Sequence, residues 1–223
     1  YILNGMTGAP LDSIKYQPAI TAIPFTYWGA NERPFYQWMS VAYLDGMLPS
    51  IVTQRGIGDG HPLKIYGWDF RNGKLTMRSD SMVTANVYNS TTKYYDATPK
   101  IGFGGHSIRI KDIDNDGKDE VLLTAAAIDN DMKLIYNQTD KGLGHGDMYE
   151  ILDIDPDRPG LEFFGVQQSN SLQLGSAIWD AATGEIIKEY FTTRMSDPGR
   201  AGAASLIPDM KGAQYYGGTP GVM

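Results

Sequence analysis

Two stretches of the chain align residue for residue. Residues 105–121 read GHSIRIKDIDNDGKDEV and residues 146–162 read GDMYEILDIDPDRPGLE, so that Asp112 and Asp153 are equivalent and 41 residues apart. A looser copy follows at 199–209 (GRAGAASLIPD), and another precedes them at 39–46 (MSVAYLDG, then Ile51 and Val52). A second element recurs between these copies: Trp68–Leu75 (WDFRNGKL), 179–187 (WDAATGEII) and 4–11 (NGMTGAPL) each place a Gly turn before an alternating strand. Asn-Gly and Thr-Gly flanked by apolar alternation are hairpin signals. Several short strands in each unit of roughly 40–50 residues is the period of a propeller blade. Amphipathic patterns of helical length are absent. A β-sandwich with turns at similar spacing is the alternative, and the residue-by-residue alignment favours the propeller. The expected fold is therefore all-β, a β-propeller of which 223 residues supply about four to five blades. The blade repeats are expected near 37–80, 101–136, 143–190 and 197–223 of one domain.

Composition agrees with a turn-rich β protein: 26 Gly, 12 Pro and 14 Tyr, with 20% charged residues. The net charge of −7 and pI near 4.9 argue against nucleic-acid or anionic-membrane partners and in favour of held cations. No apolar run is long enough for a membrane span. There is no cysteine, so no disulfide staples the fold and the compartment stays open. The chain opens on Tyr1 and closes on the turn-like Gly217–Gly221, and both ends read as internal to something longer.

The sharpest local signal is the acidic loop. Asp112, Asp114, Asp116 and Glu120 stand at positions 1, 3, 5 and 9, with Gly117 at 6 for the sharp turn and Lys118 at 7 to offer its backbone carbonyl. Hard oxygen ligands in that number suit Ca2+. The flanks are strands, so this is a calcium loop between blade strands that staples a blade and does no chemistry. The alternative is a polar turn with no metal. Asp153, Asp155, Asp157 and Glu162 form a looser version with Pro159 and Gly160 inserted. The third copy has Ser205 and Ile207 in place of acids, and no metal is expected there.

The residues just before each first strand should sit at the mouth of the central channel. The alignment makes His106 and Asp147 equivalent, places His145 two residues before Asp147 on the same side of a strand, and brings Arg200 one position from the same place in the next unit. Only three histidines occur in the chain, and two of them fall here. Singly, such residues read as hydrogen-bonded structural polars; as a converging set they point to function. A cation beside an arginine can neutralise a uronic-acid carboxylate, which makes the C5 proton removable and permits β-elimination of the 4-linked group. No base stands out, because tyrosine and lysine candidates are too many to rank.

Residues 142–147 (GLGHGD) followed by 153–162 (DIDPDRPGLE) resemble the family 11 polysaccharide lyases, the rhamnogalacturonan lyases with an eight-bladed propeller. Residues 41–46, 68–75, 179–185 and 197–200 (DPGR) fit the same pattern, and the similarity runs over nearly the whole chain but only part of a family-length protein. The resemblance implies calcium-dependent cleavage between rhamnose and galacturonic acid in an acidic plant cell-wall polysaccharide, by a secreted, periplasmic or extracellular protein, with a monomer favoured. It implies that His106, His145 and Asp147 surround a central metal and that Arg200 contacts the substrate carboxylate, with the catalytic Lys and Tyr lying further C-terminal. Two departures stand out. Gln167 and Gln168 occupy positions where the family usually has His-Glu, which predicts weaker calcium binding at the centre, and the third unit lacks acids at Ser205 and Ile207. The competing functions are a carbohydrate-binding propeller without catalysis and a protein-interaction propeller with structural calcium.

Overall fold

The structure is a computed structural model and describes residues 1–16, 37–55, 63–78, 83–85, 87–89, 94–96, 105–138, 141–168, 174–192 and 199–217. Asp197, Pro198 and the 218–221 tail lie outside the described residues.

Among the described residues every element of the fold is a strand. β1 (Ile2–Leu3) and β2 (Pro10–Asp12) form a hairpin. β3 (Gln37–Ala42), β4 (Ser50–Arg55), β5 (Leu63–Arg71) and β6 (Lys74–Met77) form an antiparallel sheet that β7 (Val83–Ala85) joins on β5. β8 (Val87–Asn89) pairs with β9 (Tyr94–Asp96). Two four-stranded meanders follow, β10 (Arg109–Lys111) to β13 (Leu134–Asn137) through β11 (Glu120–Leu123) and β12 (Ala126–Ile128), and β14 (Tyr149–Leu152) to β17 (Ile186–Phe191) through β15 (Glu162–Val166) and β16 (Leu174–Asp180). β18 (Gly202–Ala204) and β19 (Gln214–Tyr216) end the order.

Local chemistry explains the hairpins. Asn72 and Gly73 both sit at positive φ, 51° and 75°, the two-residue turn that matches strand twist, and Arg71 pairs with Lys74 across it. At the equivalent place in the later meander, Asp180 Oδ1 accepts from the Ala182 and Thr183 N–H groups, and Gly184 turns the chain at φ 73°.

The sheets begun by β3, β10, β14 and β18 stack face to face in chain order, and each apolar core lies between two of them. Val52, Leu63 and Ile65 pack with Val121, Leu123 and Ile128. Leu122 and Ala127 point the other way, onto Tyr149, Phe163 and Trp179. Phe164, Val166 and Ile178 then face Ala201 and Tyr215. Alternation within β11 and β15 thus serves two cores, which is why both strands are buried at every position. Tyr149, Phe163 and Trp179 stack across three strands at centroid distances of 5.1 and 4.1 Å. Gly165 leaves them room, since a Cβ there would lie 3.1 Å from the Trp179 ring. Burying each such ring contributes about 2–3 kcal/mol.

β3 lies beside β10 and β14 beside β18, and Arg109 on β10 pairs with Glu150 on β14 at 2.9 Å. The first strands of successive sheets are therefore neighbours, and the segments leading into β10, β14 and β18 meet at one end of the stack. The all-β expectation is met. No sheet closes on itself, and the described residues do not form a closed propeller ring.

Candidate functional site

His106 precedes β10; His145 and Asp147 precede β14. All three lie in irregular segments. The expected strand alternation of His145 and Asp147 is therefore corrected: a loop, not a pleat, aims them. Two glycines make that loop possible. A Cβ on Gly105 would fall 2.5 Å from the Gly146 carbonyl oxygen and 2.6 Å from Thr124 Cγ2, and one on Gly146 would collide with the Val166 carbonyl. The glycine beside each histidine thus lets the segments close against each other and against β15.

The loop is then pinned by the chain just after β15. The Gln168 N–H donates to the His145 carbonyl at 2.9 Å, and Gln167 Oε1 accepts from the Gly144 N–H at 2.6 Å. Gln167 is buried, and its Nε2 has no hydrogen-bond partner. The sequence marks these glutamines only by a missing carboxylate; their role in holding the His145 loop depends on contacts more than 20 residues apart.

The result is a tight cluster. His106 Nε2 lies 3.2 Å and His145 Nε2 3.5 Å from the same oxygen, Asp147 Oδ1. The imidazoles meet edge to face at 5.4 Å between centroids, and Trp38 flanks His106 at 6.4 Å. The side chains are 32% (His106), 10% (His145) and 17% (Asp147) exposed, so the cluster is walled but open on one side. Arg200, expected in the same ring, donates from Nη1 to the Asp147 carbonyl at 3.5 Å. One ligand atom from each of His106, His145 and Asp147 lies within 4.8 Å of the others, which makes the trio a candidate metal centre.

Asp112, Asp114 and Asp116 form a second convergent set of this kind. Asn115 and Gly117 turn the loop at φ 62° and 85°. Asp112 Oδ2 accepts from the Gly117 N–H and Asp114 Oδ1 from the Asp116 N–H, both at 3.1 Å. Lys118 Nζ reaches Asp116 at 2.8 Å, which holds Asp116 below the ordinary carboxylate range. Glu120 lies beneath the loop, fully buried, with Oε2 accepting from the Ile113 N–H. Burial, then the neighbouring Asp114, Asp112 and Asp116 charges, push its pKa up to about 7. Asp112 Oδ1 and Glu120 Oε1 are buried without hydrogen-bond partners. An all-oxygen set with orphaned buried carboxylate oxygens fits a calcium ion.

The looser loop differs. Glu162 Oε2 accepts from the Ile154 and Asp155 N–H groups, but Asp153, Asp155 and Asp157 do not gather into a comparable set among the described residues. In the last unit Gln214 Oε1 accepts from Leu206 and Ile207, so a neutral amide closes the turn that carries Ser205 and Ile207.

Comparison with known proteins accounts for these features together. Residues 1–222 match the family described as rhamnogalacturonan lyase family 11, C-terminal domain. Rhamnogalacturonan exolyase YesX of Bacillus subtilis is 36% identical over 219 residues, covering 98% of this chain and 33% of the relative. Rhamnogalacturonan endolyase YesW of the same organism is 34% identical over 217 residues, 96% of this chain and 32% of the relative. The crystal structure of rhamnogalacturonan lyase YesW superposes with a TM-score of 0.80 at 31% identity, over 96% of this chain and 34% of that one. A Bacillus licheniformis rhamnogalacturonan lyase gives 0.76 at 33% identity over the same shares. The chain spans about a third of the length of the curated relatives it matches. With the family model spanning all but the last residue and the fold shared with solved members, the chain belongs to rhamnogalacturonan lyase family 11.

Proposed function

We propose that the protein carrying this chain cleaves rhamnogalacturonan by β-elimination, that the stacked sheets are blades of a β-propeller, and that calcium staples the loops of those blades. The observation that carries the reading is the meeting of His106, His145, Asp147 and Arg200 from three successive sheets. The names of the relatives, an exolyase and an endolyase, support the reaction class. The shared end of neighbouring first strands supports a channel mouth, and the apolar outer face of β3, with Met39 73% and Val41 58% exposed, suits a further blade.

A cation held by the cluster supplies charge against the uronate carboxylate. Arg200 adds a guanidinium on the same side, which lowers the cost of carbanion character at C5. Asp112, Asp114, Asp116 and Glu120 would hold calcium through oxygen, away from the reacting carbons, and Asp153, Asp155, Asp157 and Glu162 a weaker ion. Such a protein would act on an extracellular acidic polymer as a monomer.

The test is ultraviolet absorbance of the unsaturated uronide when the full-length protein, supplied with divalent cations, meets rhamnogalacturonan. A steady rise is expected; a silent trace with retained polymer binding would replace the lyase by a carbohydrate-binding protein. Arg200→Ala is expected to lower kcat/KM by about 10–100-fold, the worth of a hydrogen bond to a charged group. Unchanged turnover would remove Arg200 from the site.

A further inference from the structure

The two convergent sets in this chain differ in donor chemistry. The 112–120 loop offers carboxylate oxygens only, whereas His106, His145 and Asp147 offer two imidazole nitrogens and one carboxylate. Calcium collects six to eight oxygen ligands and gains little from nitrogen. Imidazole with a single carboxylate is the preference of borderline transition-metal ions.

We propose that the His106–His145–Asp147 cluster selects a divalent ion of the zinc, cobalt or nickel class over calcium, while the 112–120 loop in the same chain selects calcium. The inference rests on the reading of this cluster as the cation-holding part of the lyase site, and it disagrees with the calcium that the family resemblance implies there.

Three observations carry it. The first is geometry: both Nε2 atoms face one carboxylate oxygen at 3.2 and 3.5 Å. Those separations are the edges of a tetrahedron around an ion with bonds of ~2.0–2.1 Å. The second is charge. Asp147 is the one carboxylate of the cluster, the adjoining segment carries the neutral amides Gln167 and Gln168, and the Arg200 guanidinium lies 3.5 Å from the Asp147 carbonyl. A weakly anionic site beside a fixed cation disfavours an ion held by charge alone. It disfavours much less an ion held by nitrogen lone pairs. The third is rigidity and access. Gly105 and Gly146 lock the two segments together, and the 32% exposure of His106 leaves one side open for a further ligand, the arrangement of a three-ligand site with a free position.

The probe is Co2+ on the full-length protein, followed by visible absorption, equilibrium dialysis and histidine NMR in a large molar excess of calcium. The expected result is one calcium-resistant equivalent with visible d–d bands, and paramagnetic broadening of the His106 and His145 ring signals. His106→Ala and His145→Ala are each expected to weaken it at least ~10-fold, the order that even outer-shell partners contribute. Asp114→Asn should leave it unchanged. Should His145→Ala not fold, the ring signals of the unaltered protein carry the test alone. Displacement of Co2+ by equimolar calcium, or histidine signals untouched by Co2+, overturns the proposal. Unsaturated product formed in calcium without Co2+ binding would overturn the metal assignment and leave the lyase reading. Binding without product in any metal would do the reverse.

Discussion

The loop after β3 and the loop after β10 occupy the same place in successive sheets and answer the same electrostatic problem in opposite ways. Register makes them equivalent: Ala42 pairs with Ser50 as Lys111 pairs with Glu120, so Ser50 stands where Glu120 does. In the first loop the chain supplies its own cation. Arg71 Nη2 reaches Asp45 and Asp69 at 3.3 Å each, Nη1 donates to the Pro49 carbonyl at 2.8 Å, and Ser50 Oγ donates to Asp69 at 2.5 Å. The Leu48 and Met47 N–H groups, with Arg71, hold Asp45 below the ordinary carboxylate range. Among the described residues no guanidinium enters the second loop. Three aspartates converge, a glutamate is buried under them, and Lys118 satisfies one side of Asp116. The last two units continue the series at the same register position. Glu162 serves a loop whose acids do not gather, and Gln214 closes a turn with Asp209 as its one acid. The lesson is that the group at the base of the loop follows the number of acids above it: neutral Ser50 and Gln214 under loops with one aspartate each, buried Glu120 and Glu162 under loops with three or more.

Four changes would break or sharpen that comparison. Arg71→Ala takes the guanidinium from Asp45, leaves Asp69 with Arg78 at 3.7 Å and Ser50, and is expected to cost about 2–3 kcal/mol in chemical denaturation, equally with and without chelator. A loss below ~0.5 kcal/mol, or one rescued by calcium, would remove the idea of a built-in cation. Calcium removal should act on the other loop: at calcium ~100 times its Kd, chelation is expected to remove about 2.7 kcal/mol. Asp114→Asn should abolish that dependence, while Arg71→Ala should leave it.

The third change is pH in calcium-free buffer. Glu120 rises from 4.5 to about 7 in the folded chain, so between those values the folded state binds more protons than the unfolded one. Stability should therefore fall as pH rises through that window, by about 1–2 kcal/mol after screening. Calcium, by compensating the carboxylate, should flatten the slope, and so should Glu120→Gln; a slope that survives in Glu120→Gln would place its origin elsewhere. The smallest effect is expected for Gln214→Glu. It loses the donation from Nε2 to the Gly212 carbonyl without gaining an ion, at about 1 kcal/mol by thermal melting. Stabilisation by calcium in that variant would show that the turn needs only the acid.

Much of this was legible in the amino-acid order, because it depends on neighbours a few residues apart. The aligned repeat marked β11 and β15, Asn72-Gly73 and Gly184 set the β5–β6 and β16–β17 hairpins, and the spacing of Asp112, Asp114 and Asp116 set a convergent loop. Backbone conformation and short side-chain reach suffice for each of these. Other features needed the packed molecule. Arg71 as the cation of the first loop lies 26 residues from Asp45, and the Gln138 side chain donates to the Gly184 carbonyl 46 residues away. The histidine cluster shows both sides of the division. The repeat put His106 and Asp147 at equivalent places, but equivalence is not contact. Only the stacking of two sheets, made close by the missing side chains of Gly105 and Gly146, brought two imidazoles onto one carboxylate oxygen. Sequence determined which donors the chain carries; the distances that tertiary packing sets between them decided which ion they can share.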